Sequence, residues 1–169
     1  MRKMLYDITF ATPLGPLRVA ECQGAIVQIQ FVQENAEVLA GALHQETPLL
    51  LEAKRQLTEY FAGERKAFSL PLKAEGTAFQ KQVWQKLEQI PYGETRSYGE
   101  IAREIGNSKA ARAVGSANHC NPIAIVVPCH RVIGATGKLV GYAGGLEIKR
   151  SLLELEQHGR AVASTDNLA

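Results

Sequence analysis

The stretch Ile123-Ala124-Ile125-Val126-Val127-Pro128-Cys129-His130-Arg131-Val132-Ile133-Gly134 sets a cysteine after five consecutive apolar residues and a proline. An apolar run of this length, rich in β-branched residues, predicts a buried strand. The Cys129 thiol then lies at the end of that strand, beside the imidazole of His130 and the guanidinium of Arg131. A thiolate is a strong nucleophile, and neighbouring cations favour the thiolate. A lone cysteine is usually an inert core residue, but these neighbours make Cys129 a candidate nucleophile.

The composition of the chain is that of an ordinary soluble globular protein, with 169 residues, 46% hydrophobic and 21% charged. No apolar run reaches the length of a transmembrane helix, and no apolar segment of a secretory signal follows the first residues. The three cysteines Cys22, Cys120 and Cys129 are an odd number without disulfide-like spacing. These features favour a cytoplasmic protein that does not associate with membranes.

The charge is unevenly distributed along the chain. Residues 96–150 carry eight basic and three acidic side chains, a net charge of +5, whereas residues 1–76 have a net charge of −1. Such an excess describes either an ordinary solvated surface or a footprint for a polyanion such as nucleic acid. Charge alone leaves both interpretations open.

The first half of the chain predicts a small antiparallel sheet followed by one helix. Alternating or apolar segments at residues 4–10, 17–20 and 25–32 predict three strands. Thr47 and Pro48 form a helix start, and Gly63 ends that helix. Residues 63–76 are polar and are predicted to link two lobes.

The second half predicts mostly helices. Thr77 and Gln80 form a capping box before a helix, and Ser97 and Glu100 form a second box before a short helix that ends at Ile105. Further helices are predicted at residues 109–117, where Ser108 is the expected cap, and at residues 147–157. Two short helices joined by a tight turn with Gly106 describe a helix-turn-helix.

The predicted fold class is therefore α+β. It has an N-terminal antiparallel-sheet lobe with one helix at residues 1–76, and a mainly helical, winged-helix-like lobe at residues 77–160. The second lobe contains the helix-turn-helix and Cys129. Residues 161–169 are predicted to be a loose tail.

The second helix of the helix-turn-helix has unusually small side chains around Arg112, with Gly115 in its middle. Glycine there costs about 1 kcal/mol relative to alanine. The helix either packs tightly inside the domain or lets a nucleic acid come close to its backbone. Arg112, a long cation among alanines, suits entry into a groove.

Glu156 lies one turn beyond Leu152 on the last helix, where a partly buried carboxylate needs a donor. Its partner is either a lysine or arginine, or His130, which it would orient and favour in the protonated form. His119, Cys120, Cys129 and His130 are poorly spaced for chelation, so no metal is expected. A cysteine protease stays possible, although His130 is unusually near the thiol in sequence.

The segment Pro128-Cys129-His130-Arg131-Val132 resembles the active site of the O6-alkylguanine-DNA alkyltransferases. The resemblance extends to residues 110–115, Asn121-Pro122, residues 141–145, Lys149, Leu152-Leu153 and Glu156, which together cover most of residues 77–159. In the first lobe it rests on the strand-and-helix outline and on Tyr60-Phe61-Ala62-Gly63. The chain resembles the stand-alone bacterial form, without a fused regulatory domain.

This resemblance implies DNA repair by a protein that acts once. Cys129 would accept an alkyl group irreversibly from O6 of guanine, or from O4 of thymine, in a nucleotide flipped out of the duplex. His130 would remove the thiol proton through a water, with Glu156 holding the imidazole. Tyr98 would give a proton to the departing guanine, and Asn121 would brace the turn before the active-site strand.

The resemblance also implies where DNA lies. Arg112 would fill the gap left in the base stack after the second helix enters the minor groove. The residues expected at the DNA are Ser97, Tyr98, Lys109, Ala111, Arg112, Gly115 and Arg131, the last of these also with a structural role. The residues expected around the flipped base are Pro128, Val132, Tyr142, Ala143 and Gly144.

No cofactor is expected, and the protein is expected to bind alkylated double-stranded DNA as a monomer. Some family members carry zinc on N-terminal cysteines and a histidine, but Cys22 is the one cysteine in that lobe, so no zinc is expected here. The alternative function is a non-catalytic lesion-binding protein that recruits other repair factors. A regulator that reads sequence through the helix-turn-helix is a third possibility, disfavoured by the small side chains of the second helix.

Overall fold

A computed structural model describes residues 3–159, so the predicted tail at residues 161–169 lies outside the described residues. The fold is α+β, as predicted, with the sheet in the first half of the chain and most helices in the second. Within the described range, no helix is both long enough and apolar enough to cross a membrane.

Three strands form the antiparallel sheet that the sequence predicted: β1 (Leu5–Thr12), β2 (Gly15–Cys22) and β3 (Ala25–Phe31). A fourth strand, β4 (Ala42–His44), was not predicted and pairs in parallel with β1, giving the order β3-β2-β1-β4. A three-residue strand is too short to show an alternating pattern, so this edge could not be recognised in the sequence.

Helix α1 (Pro48–Phe61) packs on the sheet and starts as predicted. The Thr47 hydroxyl accepts a hydrogen bond from the Leu50 amide at 3.1 Å and donates one to Glu21 Oε2 at 2.5 Å. The cap therefore also ties the helix start to β2. Gly63, with a φ of 76°, follows the helix end in the left-handed conformation that glycine adopts at low cost.

The predicted linker runs along the edge of the sheet. The Ile26 amide donates to the Pro71 carbonyl at 2.7 Å, and the Lys73 amide donates to the Ile26 carbonyl at 2.8 Å. The hydrophobic core continues across it, because Leu57 of α1 and Leu87 beyond the linker belong to one buried cluster. The boundary at residue 76 stays a prediction.

The second half contains α2 (Ala78–Glu88), α3 (Tyr98–Glu104), α4 (Ala111–His119) and α5 (Leu146–His158). Two short strands, β5 (Arg96–Ser97) and β6 (Val132–Ile133), pair in parallel between them. The capping box of Thr77 and Gln80 is confirmed. The Trp84 indole donates to the Ala117 carbonyl at 2.8 Å, which fixes α4 against α2.

The start of α4 differs from the prediction. Ser108 does not cap it, and the helix begins two residues later than expected, at Ala111, without a side-chain cap. The Asn107 side chain and carbonyl accept hydrogen bonds from the amides of Lys109 and Ala110, at 3.3 and 3.0 Å. These bonds close a turn over the residues that were expected to form the first helical turn.

The prediction of a strand before Cys129 is wrong. Ile123, Ile125 and Val127 are buried as expected, but the segment forms a single bridge, from Ile123 to Ile29 of β3, and then continues as turns in which Ile125 has a φ of 71°. The Asn121 amide donates to the carbonyls of Ile123 and Val127, at 3.3 and 2.8 Å. Because a side chain satisfies these carbonyls, the segment needs no neighbouring strand for them.

Candidate active site

Cys129 opens a 3-10 helix, Cys129–Arg131, directly after those turns. The residue is 6% exposed, and its carbonyl accepts a hydrogen bond from the Asn118 amide at 3.2 Å. In a strand, adjacent side chains point to opposite faces, which would separate Cys129 from His130. The 3-10 helix removes that obstacle.

His130 is fully buried and meets Glu156, with Nε2 2.6 Å from Oε2. The structure therefore brings together His130 and Glu156, which the sequence offered as one of the alternative pairs. The other ring nitrogen, Nδ1, has no hydrogen-bond partner among the described residues. A buried imidazole oriented on one side and open on the other can take up a proton.

Glu156 accepts more than the one bond expected. Arg131 donates to both carboxylate oxygens, from Nε to Oε1 at 2.7 Å and from Nη2 to Oε2 at 3.1 Å. The Tyr60 hydroxyl donates to Oε2 at 2.5 Å. Although burial favours the neutral acid, His130 and Arg131 hold the pKa of Glu156 well below its usual range. The two partners that the sequence left as alternatives, an arginine and His130, are both present.

Arg131 was predicted to contact DNA, and the structure contradicts this. Its side chain is buried, and Nη1 donates to the Ile90 carbonyl at 2.6 Å while the rest of the guanidinium holds Glu156. A guanidinium committed to internal acceptors cannot also neutralise a phosphate. Its expected structural role agrees with this position.

Burial opposes the charged forms of Cys129 and His130. It raises the pKa of the Cys129 thiol, against smaller opposing effects of the Asn121 amide and the Lys149 ammonium. It also lowers the pKa of His130, outweighing the attraction of Glu156. Lys149 favours the Cys129 thiolate and Glu156 favours protonated His130, but burial disfavours both charged forms and outweighs these effects. The resting pair is a thiol beside a neutral imidazole.

Lys149 is a site residue to which the sequence assigned no role. Its buried Nζ donates to the carbonyls of Val132, Val140 and Gly141, at 2.6, 3.1 and 3.2 Å. It therefore ties β6 to the glycine-rich loop of residues 134–145. A lysine three residues before Leu152, on the inner face of a helix, was the available signal.

A cavity of about 380 Å³ lies between α4 and the glycine-rich loop. Tyr98 closes one side, where its hydroxyl donates to the Val140 carbonyl at 2.8 Å. Burial, and then the nearby Cys129, raise the pKa of Tyr98, so its hydroxyl keeps its proton. The lining residues are Tyr98, Ala111, Arg112, Gly115, Asn118, His119, Val140, Gly141, Tyr142 and Ala143.

Three of the predicted pocket residues lie elsewhere. Val132 is fully buried and offers its carbonyl to Lys149. Pro128 lines a separate cavity behind Arg131, and Gly144 lines another at the start of α5.

The residues expected at the DNA lie in α4, just before it, and at the start of α3. Arg112 is exposed at the cavity mouth, Lys109 is exposed just before the helix, and Ser97 caps α3. A methyl group added to Gly115 would lie 3.8 Å from the Tyr98 ring, an ordinary contact distance. Internal packing therefore does not require glycine here, which favours the close approach of an outside partner.

Within residues 3–159, no three histidine, cysteine or acidic side chains come together as a metal-binding group. Cys22, Cys120 and Cys129 are free thiols, and Cys120 is exposed at the end of α4.

Two family profiles match the chain. Residues 78–158 match the DNA-binding domain of 6-O-methylguanine DNA methyltransferase, and residues 4–74 match its ribonuclease-like domain. The chain belongs to this family. The resemblance inferred from the Cys129 segment is thereby confirmed.

Curated members of the 6-O-methylguanine DNA methyltransferase family are similar over nearly their whole length. The constitutive methylated-DNA–protein-cysteine methyltransferase of Bacillus subtilis is 54% identical over 159 residues, 91% of this chain and 96% of the relative. That of Methanosarcina acetivorans is 52% identical, over 90% of this chain and 98% of the relative. A crystal structure of Mycobacterium tuberculosis OGT in complex with DNA matches with a TM-score of 0.84 and 48% identity, covering 92% and 94% of the two chains.

Proposed function

We propose that this protein repairs DNA by moving an alkyl group from O6 of guanine to the Cys129 sulfur, once per molecule. The observation that carries this proposal is the buried contact of His130 with Glu156 at 2.6 Å, since His130 directly follows the Cys129 thiol in the same short 3-10 helix. A protein that only binds a damaged base, without reacting with it, has no need of a buried proton acceptor beside a cysteine. Membership of the family supports the same reaction.

The reaction balances with one bond formed and one broken. Cys129 Sγ bonds to the alkyl carbon, and the bond from that carbon to O6 breaks with its electrons left on guanine. His130, neutral at rest, takes up the thiol proton through a water, and Tyr98 gives a proton to the departing base. The product thioether has no good leaving group, so the protein does not turn over.

The target carbon is buried in duplex DNA, so the nucleotide must rotate out at a cost of a few kcal/mol. The cavity between α4 and the glycine-rich loop is positioned to receive the base of the flipped nucleotide. Arg112 at its mouth would take the place of the lost base, and the basic surface around it would offset part of the cost. The thin α4, with exposed Ala113 and half-buried Gly115, suits the narrow minor groove.

We expect a monomer that acts in the cytoplasm, where a reduced Cys129 thiol persists, with the boundary between its two domains near residue 76. We propose alkylated thymine as a second substrate, because the same sulfur would attack the alkyl carbon on O4 and leave the electrons of the broken bond on the base.

The direct test is the intact mass of the protein after incubation with duplex DNA that contains O6-methylguanine. We expect the mass of one methyl group, mapped to Cys129. The Cys129→Ala variant should bind the same DNA and stay unmodified. The matched control is Cys120→Ala, which removes the exposed thiol and should leave the transfer intact. Binding by the wild type without any mass gain would favour the lesion-binding alternative.

A further inference from the structure

Tyr60 joins the two halves of the chain at the candidate active site. It belongs to α1, is fully buried, and donates its hydroxyl hydrogen to Glu156 Oε2 at 2.5 Å across 96 residues of sequence. This is a side-chain hydrogen bond from the sheet-bearing half to the carboxylate that orients His130.

The Tyr60 hydroxyl donates to a particular oxygen of Glu156, Oε2. Oε2 meets His130 Nε2 at 2.6 Å and also accepts from Arg131 Nη2 at 3.1 Å, whereas Arg131 Nε binds the other oxygen, Oε1, at 2.7 Å. Tyr60 and His130 therefore share one acceptor. A neutral donor on that oxygen takes up part of its negative charge, and so weakens its attraction for a protonated imidazole.

Neighbouring rings hold the position of the Tyr60 hydroxyl. The ring centroid lies 5.5 Å from that of Phe61, 5.6 Å from that of Phe68 and 6.3 Å from that of Tyr92. A buried hydroxyl needs some acceptor, and a backbone carbonyl would satisfy it equally well. Here it is placed on an ionised carboxylate that already has charged partners.

We propose that Tyr60 is a positioning residue for alkyl transfer, which holds Glu156 so that His130 is oriented yet stays neutral and able to accept a proton. This rests on the proposed function, and it assigns to α1 a part in setting the reactivity of the second half of the chain. Tyr60 acts through Glu156 and does not touch the reacting atoms.

Other groups also act on the His130–Glu156 pair, and they stay unchanged when Tyr60 is mutated. Besides Tyr60, the titratable and charged side chains that face His130 or Glu156 are Tyr92, Cys129, Arg131, Tyr142 and Lys149. Burial, with a smaller effect from Glu156, raises the pKa of Tyr60 well above its usual range. Its hydroxyl therefore stays a donor throughout the pH range in which His130 titrates.

The test is Tyr60→Phe, which keeps the ring and removes the hydroxyl. The rate of methyl transfer to Cys129 is measured from acid to neutral pH, and the His130 imidazole is titrated by NMR without substrate. We expect the acid limb of the rate profile and the imidazole titration to move together, to higher pH by roughly one unit. The matched control is Tyr6→Phe, which removes a tyrosine hydroxyl from β1 of the same half of the chain; both curves should stay in place.

A merely structural hydroxyl would lower the melting temperature and leave both curves unmoved, and that result overturns the proposal. Should Tyr60→Phe not fold, 3-fluorotyrosine at position 60 keeps the bond and makes it stronger, so both curves should move to lower pH. No movement with fluorotyrosine overturns the proposal equally. A wild type that transfers nothing overturns the proposed function instead, while the NMR titration still decides the role of Tyr60.

Discussion

The Asn121 side-chain amide donates to the Val127 carbonyl at 2.8 Å, across the turns that carry Cys129. Asn121 Oδ1 also accepts from the Ile123 amide at 3.0 Å, so one side chain closes the segment at both ends. The Asn121 amide in addition opposes the rise in the pKa of Cys129 that burial causes. The position of the thiol and its ease of ionisation thus depend on the same residue.

Asn121→Ala should lower the free energy of unfolding by about 1–3 kcal/mol, because buried backbone groups lose their partner. It should also slow methyl transfer, since the turn before Cys129 loosens and the thiol becomes harder to ionise. Chemical denaturation and single-turnover rates measure the two effects. Asn107→Ala, at the exposed turn before α4, is the control and should leave the rate unchanged. An Asn121→Ala protein with the wild-type rate would contradict this role.

Glu156→Gln removes the carboxylate charge that balances buried Arg131. Breaking a buried ion pair typically costs about 3–5 kcal/mol, because the remaining charge stays unpaired in the interior. We expect a lower melting temperature and a strong loss of methyl transfer. Glu154→Gln, on the exposed side of the same helix, should change neither measurement noticeably. Equal behaviour of the two variants would argue against the role assigned to Glu156.

The stability of the protein should fall on acidification in two windows. The folded-state pKa of His130 lies below its ordinary 6.5, and that of Glu156 lies well below its ordinary 4.5. In both cases the unfolded chain binds protons first as pH falls, so the free energy of unfolding declines below about pH 6.5 and again below about pH 4.5. Urea denaturation at stepped pH measures this. His130→Gln should reduce the decline in the free energy of unfolding that begins at about pH 6.5. A gain in the stability of the wild type between about pH 6.5 and 5 would contradict the assignment.

Arg112→Ala should slow transfer from duplex DNA more than from the free alkylguanine base, since the free base needs no flipping. The salt dependence of duplex binding should also fall by about one unit of slope if the guanidinium neutralises a phosphate. Lys81→Ala removes an exposed cation from α2 and is the matched control. Equal slowing on both substrates would exclude a role in the base stack.

The local features of the fold were predictable because their causes lie within a few residues. The capping box of Thr77 and Gln80 joins positions three apart, and the α1 cap joins Thr47 to Leu50, so both can be recognised from the printed sequence. The apolar run before Cys129 predicted burial correctly and strand wrongly. Periodicity reports which residues are buried, but not whether a side chain such as Asn121 satisfies the backbone in place of a strand.

By itself, the sequence determined the α+β class, the family, and the thiol beside an imidazole. These follow from local patterning and from one short motif. The tertiary structure alone decided that Tyr60 meets Glu156, that Arg131 faces inward, and that burial sets the protonation of Cys129 and His130. Each depends on contacts or solvent exclusion between segments far apart in the chain, and the free energy of a charge in the interior is a property of that whole environment.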